Sequence, residues 1–414
     1  MTSKMLAKNA RWPRFDDKIF ASAQRAKEAI KNYGKENVID STLGALYDDA
    51  GNIVAFDSVY DRLEEMDSTL IASYAPIAGT DSYQKNVIDL CFGDYKPKAH
   101  IRALATPGGT GAVRHAIWSF AGKDDPVICP DWYWPPYKLI CDEFDRDFLT
   151  YKLFTDDFSF NIKAFEKAFR KNLKDKKRIL TIFNTPANNP TGYSLADEEW
   201  DEVLAIVKDE AKDPKKKIAL LVDVAYMEFA GNGEQKKFFK KFENLPENIF
   251  IVIAYSMSKA YTAYGMRSGA AIGISSNEDI ADDFYYSLLH ANRANWSNGN
   301  HGAMEILSQL NENEEMKKSY EKDLDIYKNI LNNRAQAFIK ASKEVGLEIL
   351  PYFGGFFISI PIENSEKVAG DLEKENLFLI ANKNGLRFAV CAVSEEKCSK
   401  APRIIKKVID SYKK

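Results

Sequence analysis

The chain has 414 residues, 45% hydrophobic and 28% charged, ordinary values for a globular protein and length enough for two domains with sizeable cores. Its 57 basic and 60 acidic residues leave a net charge of −3, which does not point to nucleic acid or an anionic membrane as a partner. Five cysteines without a CxxC pair read as thiols of a reducing compartment, and four histidines without ligand spacing argue against a metal centre.

The first eighteen residues carry basic side chains but no apolar segment. No apolar run reaches membrane-spanning length, so a cytoplasmic location is expected. Further on, residues 101–106, 126–129, 178–183, 218–222 and 249–254 are apolar almost without alternation, the pattern of strands buried on both faces. Between them, 111–120, 164–172 and 197–209 have helical spacing. Strands and helices in alternation predict an α/β domain with a mostly parallel sheet, in which ligands bind beyond the carboxyl ends of the strands. Residues 311–343 predict one long charged helix. Strands are then expected at 346–350, 355–360 and 386–393, in a smaller α+β unit to which the first fifty residues return.

Four segments follow predicted strands and carry chemistry. Thr106-Pro107-Gly108-Gly109-Thr110-Gly111 is a glycine-rich strand-to-helix turn whose amides suit a phosphate, although it lacks the ending of a P-loop. The segment from Asn184 to Gly192 holds two X-Pro bonds and can aim an amide side chain. Asp223 closes a buried strand, where a carboxylate needs a partner; a protonated ring nitrogen is suitable, and a helix cap is the commoner use. Tyr255 to Lys259, with Arg267 beyond, gathers serines, an amine and a guanidinium. Such an amine forms an imine with an aldehyde if its pKa is lowered, although a lone lysine after a strand is more often solvated.

Asn189-Pro190-Thr191-Gly192, Asp223 with Tyr226, and Ser256 to Lys259 with Arg267 resemble, in type and order, the segments of class I aminotransferases. These are the aspartate and aromatic branch of the fold-type I pyridoxal-phosphate (PLP) enzymes. The resemblance implies a large domain at 51–320 with a seven-stranded, mostly parallel sheet between helices. It also implies a small α+β domain built from both termini, 1–50 and 321–414. Lys259 is then the lysine that anchors PLP and shuttles the substrate α-proton. Asp223 pairs with the ring nitrogen, Asn189 and Tyr226 hydrogen-bond the 3-oxygen, and Gly109, Thr110, Ser256 and Arg267 hold the phosphate.

Other matches are carried by position in the pattern. Trp132, in the segment from Cys129 to Trp134, is expected to stack on the ring. Tyr74 is expected to reach the phosphate of a neighbouring subunit, which implies a homodimer with shared sites. Gly44 lies in a segment expected to close over substrate, and Arg387 is the expected partner of the substrate α-carboxylate, with Phe357 and Asn189 lining the same pocket. Arg293 resembles the arginine that binds the side-chain carboxylate of dicarboxylic substrates.

Three departures argue against strict aspartate specificity: Gly108 where a serine is common, Trp134-Pro135-Pro136 where polar residues follow the tryptophan, and Asn184 where a histidine is often found. The expected activity is ping-pong transfer of an amino group from an aromatic or dicarboxylic amino acid to a 2-oxoacid such as 2-oxoglutarate. A PLP-dependent lyase or decarboxylase on the same fold is the rival enzyme. A PLP-sensing regulator would need a DNA-binding module, and the first fifty residues show no helix-turn-helix pattern.

Overall fold

Seven strands form the main sheet: β1 (His100–Thr106), β2 (Pro126–Pro130), β3 (Asp147–Tyr151), β4 (Arg178–Asn184), β5 (Lys217–Asp223), β6 (Ile249–Ser256) and β7 (Gly269–Ser275). Their order is β1-β7-β6-β5-β4-β2-β3, and every pair is parallel except those made by β7. The computed structural model describes residues 5–10, 12, 18–231 and 234–412; residues 1–4, 11 and 13–17 of the N-terminal stretch, expected to lack an apolar segment, lie outside these.

The sheet is buried on both sides because alternate residues of each strand face opposite layers. Ile182 belongs to the core under α1 (Gly108–Phe120), α2 (Pro136–Glu143) and α4 (Glu278–Asn295), with Leu104, Val113, Val252 and Leu288. Its neighbour Phe183 faces the other way, 5.3 Å from Trp200, which stacks on Phe238 at 5.2 Å. All eight residues of β6 are buried, which is why the strand reads as a continuous apolar run.

The five expected strands are present, each with one or two residues more than expected. β7 escaped the sequence reading. Its residues, Gly-Ala-Ala-Ile-Gly-Ile-Ser, have weak strand propensity, and ladders on both sides hold it in the sheet. Edge strand β3, mostly exposed, was missed as well.

The chain divides into two compact units, one of residues 54–330 with 351–355, the other of 1–53, 331–350 and 356–414. In the second unit β8 (Phe357–Pro361), β9 (Ile380–Asn382) and β10 (Gly385–Ala389) form an antiparallel sheet in the order β9-β10-β8. Ile39–Asp40 pairs in parallel with Leu377–Phe378, so the N-terminal segment joins the C-terminal one.

Three expectations need correction. The charged stretch is two helices, α5 (His301–Glu312) and α6 (Glu314–Val345), because Asn313 breaks the run and caps the amides of Glu315 and Met316. Residues 346–350 are not a strand. Gly346 takes φ +64° and Leu347 turns back to donate to Ser342 O, closing α6. The strand expected at 386–393 ends at Ala389 and continues as a 3-10 turn, Val390–Ala392.

Candidate active site

Three neighbouring strands end side by side. Asn184 is in register with Asp223, and Asp223 with Ala254, two residues before Ser256. Beyond these carboxyl ends is a cavity of about 170 Å3 lined by Gly109, Thr110, Trp134, Asn184, Asn189, Asp223, Ala225, Tyr226, Ser256, Ser258, Lys259, Tyr264 and Arg267. Eight residues named from the sequence for cofactor or catalysis therefore share one cavity: Gly109, Thr110, Asn189, Asp223, Tyr226, Ser256, Lys259 and Arg267.

Each is placed by local chemistry. Ser256 closes β6 and caps the single turn α3 (Met257–Ala260) by accepting the Ser258 amide at 3.2 Å, and that turn presents Lys259. The Lys259 amine lies 4.7 Å from the Tyr264 ring centre and 5.8 Å from that of Tyr226. Arg267 adopts φ +55°, a conformation few non-glycine residues take, and donates to Ser258 Oγ at 3.1 Å and Tyr264 O at 3.0 Å. The Asn184 side chain donates to Asp223 O at 2.9 Å and accepts the Asn189 amide at 2.7 Å, bracing the proline loop. Asn189 Nδ2 then donates to the Tyr226 hydroxyl at 3.3 Å.

Asp223 is 6% exposed. Burial pushes its carboxyl above the usual range, opposed by two donors, the Tyr137 hydroxyl at 2.6 Å and the Ala225 amide at 3.1 Å. The Tyr137 phenol is itself pushed well above its ordinary value by burial and by the Asp223 charge, so it acts as the donor.

Gly108 opens α1 at φ +68°, and a Cβ there would stand 2.7 Å from Arg267 Nη2. The guanidinium and the helix N-terminus thus meet over a glycine, a cradle suited to an anion. Gly108→Ala strains this turn, and its capture of PLP is expected to weaken by roughly tenfold, from a backbone cost of about 1–3 kcal/mol. Titrating cofactor-free protein with PLP measures it; an unchanged affinity would remove Gly108 from the cradle.

The tryptophan expected to stack on the ring, Trp132, is not among the residues lining the cavity. Trp134, not Trp132, lines the cavity, half-buried and edge-on to Tyr137 at 5.4 Å. Asp131 extends the strand pairing through Tyr151 O and the Leu153 amide, which leaves Trp132 buried in the interior, 6% exposed. The sequence reading also missed Tyr137 and Tyr264. Tyr264 lies five positions after Lys259, so attention to that loop would have found it. Tyr137 carried no signal, being 86 positions from Asp223.

The remaining candidates lie elsewhere. Arg387, Phe357 and Gly44 meet in the second unit. The Arg387 guanidinium is 4.3 Å from the Phe357 ring centre and donates to Thr42 O at 2.7 Å. Phe357 packs so closely on Gly44 that a Cβ there would be 2.6 Å from its ring edge. Tyr74 is 88% exposed, and Arg293, also exposed, donates to Ser297 Oγ at 2.6 Å. None of the five cysteines is in a disulfide, and among the described residues no helix is long and apolar enough to cross a membrane.

Residues 36–405 match the family model described as aminotransferase class I and II. A solved aminotransferase from Anaerococcus prevotii DSM 20548 is 52% identical, with a TM-score of 0.96 over 98% of this chain and 99% of that one. The aromatic-amino-acid aminotransferase of Paracoccus denitrificans is 27% identical over 69% of this chain and 70% of its own. The fold is shared with an aromatic-amino-acid aminotransferase from Burkholderia pseudomallei covalently bound to pyridoxal phosphate, at TM-score 0.77 and 21% identity over 98% of this chain and 100% of that one.

Proposed function

Because this chain belongs to the class I and II aminotransferase family, we propose that it transfers the amino group of an aromatic or dicarboxylic L-amino acid to a 2-oxoacid such as 2-oxoglutarate, in a ping-pong cycle. It is a transaminase, and its cofactor is pyridoxal 5'-phosphate. The observation that carries the reading is one cavity holding an amine, a buried carboxylate and an anion cradle at the ends of adjacent strands.

The donor set fits PLP. Gly109, Thr110, Ser256 and Arg267 would hold the phosphate, with Tyr74 supplied from a neighbouring subunit of a homodimer. Asp223 would pair with the ring nitrogen, Asn189 and Tyr226 with the 3-oxygen, and Trp134 takes the stacking role. Bound there, the cofactor supplies an aldehyde for the lysine and a protonated ring able to accept electron density from the substrate α-carbon. Lys259 Nζ takes up the substrate's α-proton and returns it, its amine held against the Tyr264 and Tyr226 rings. Asp223 keeps the ring nitrogen charged by remaining ionised beside it. Arg387, backed by Phe357, binds the α-carboxylate, and Gly44 belongs to the segment that covers it. The cofactor domain is proposed at 51–320 and the small domain at 1–50 and 321–414. The setting is cytoplasmic, without nucleic-acid or membrane partners.

Mixing the PLP-loaded protein with single amino acids tests this. Pyridoxamine phosphate should accumulate without an acceptor, and adding 2-oxoglutarate should restore the starting spectrum. Release of pyruvate and ammonia with no acceptor present would favour the lyase reading. Arg293→Leu is expected to weaken dicarboxylic substrates about ten- to hundredfold while sparing aromatic ones, the worth of a charge-assisted contact of about 1.5–3 kcal/mol. Equal weakening of both classes would withdraw the assignment.

A further inference from the structure

We propose that Tyr137 is a positioning residue for this reaction: its hydroxyl, donating to Asp223 Oδ2, holds that carboxylate ionised and fixed for its pairing with the cofactor's ring nitrogen. The inference rests on the transaminase reading above. Asp223 lies in a nearly dry place, where a carboxylate tends to take up a proton. Two protein donors oppose that, Tyr137 on Oδ2 and the Ala225 amide on Oδ1. Both are neutral. A lysine or arginine in the place of Tyr137 would also keep Asp223 ionised, but it would neutralise the carboxylate that the ring nitrogen needs. A phenol stabilises the charge without cancelling it.

Tyr137 has little freedom to do otherwise. It is fully buried, its amide donates to Trp134 O at 3.0 Å, and its ring meets the Trp134 ring edge-on. Pro135 and Pro136, which open α2, restrict the backbone just before it. The Trp134-Pro135-Pro136 departure noted in the sequence therefore has a consequence: it starts a helix where its second residue lands against the Asp223 carboxylate. The other titratable groups around Asp223 are Cys129, Tyr226, Lys259, Tyr264 and Arg267.

Tyr137→Phe removes the hydroxyl and keeps the ring. Titrated with PLP, cofactor-free Tyr137→Phe is expected to bind roughly ten- to hundredfold more weakly than the parent, the effect of losing a hydrogen bond to a charge. When saturated with PLP, it should show kcat lowered about tenfold with the amino-acid KM unchanged. The acid limb of its kcat profile should move to higher pH, because a carboxylate that loses a donor is protonated more readily. Tyr137→His, which returns an N–H donor, should recover part of the affinity and move the limb back. A Tyr137→Phe protein with parental PLP affinity and acid limb overturns the proposal, and so does one whose melting temperature alone falls. If the parent takes up no PLP, the functional reading fails first and this inference with it. If the parent turns over normally beside an unaltered variant, only this inference fails.

Discussion

Replacing Lys259 with alanine is expected to lower transamination by roughly 10^4-fold or more, from the loss of a proton carrier worth about 10^2–10^4 together with the covalent anchor. The cavity shows no ready substitute. Besides Lys259 the titratable groups lining it are Asp223, Tyr226, Tyr264 and Arg267. Asp223 is committed to Tyr137 and the Ala225 amide, and Arg267 to Ser258 Oγ and Tyr264 O. The amine is half-buried at the end of a one-turn helix, so its removal takes little packing with it. The variant should fold, retain PLP through the phosphate cradle and Asp223, and lose turnover. Single-turnover absorbance with one amino acid measures the loss. A small primary amine such as methylamine, added at high concentration, should restore part of it. Activity within tenfold of the parent would show that another group moves the proton.

Asp223→Asn should separate function from stability in opposite directions. Turnover is expected to fall by about 10^2–10^3, the effect of leaving a buried positive charge without its partner at roughly 3–5 kcal/mol. The cofactor-free protein should meanwhile melt at a higher temperature at pH 7. The carboxyl of folded Asp223 is raised by burial, so its favourable contribution is complete below the unfolded value near 3.9 and is lost as pH rises through the folded value. At neutral pH, therefore, the apo protein carries a desolvated charge that asparagine removes. The gain should shrink as pH falls and the native carboxyl takes up its proton. Melting curves at pH 4.5 and 7 with kcat at pH 7 check both halves. A variant that is less stable at pH 7 would mean that the Tyr137 and Ala225 donors outweigh the desolvation.

These two residues and their setting were largely legible before any coordinates. A buried parallel strand must be apolar on both faces, so β4, β5 and β6 declare themselves, and the residues just past their ends fall at one edge of the sheet. Lys259, Asp223 and Asn189 are each tied to such an end by contacts a few positions long, as Ser256 caps the turn of Lys259 and Asn184 holds the amide of Asn189. Local order of this kind is written in consecutive residues.

What joins distant segments is decided by packing. The β7 strand is held by two neighbours rather than by its own glycine- and alanine-rich sequence. Trp132 and Trp134 are equivalent as composition, and only the path of the chain beyond β2 puts Trp134 at the cavity. Arg387 and Thr42 meet across 345 positions, and Tyr137 and Asp223 across 86. Sequence by itself determined the strand ends, the amine, the carboxylate and the family of this protein. Tertiary structure alone decided which neutral donor keeps that carboxylate charged, because the start of α2 and the register of β5 bring Tyr137 and Asp223 together, and no spacing along the chain encodes it.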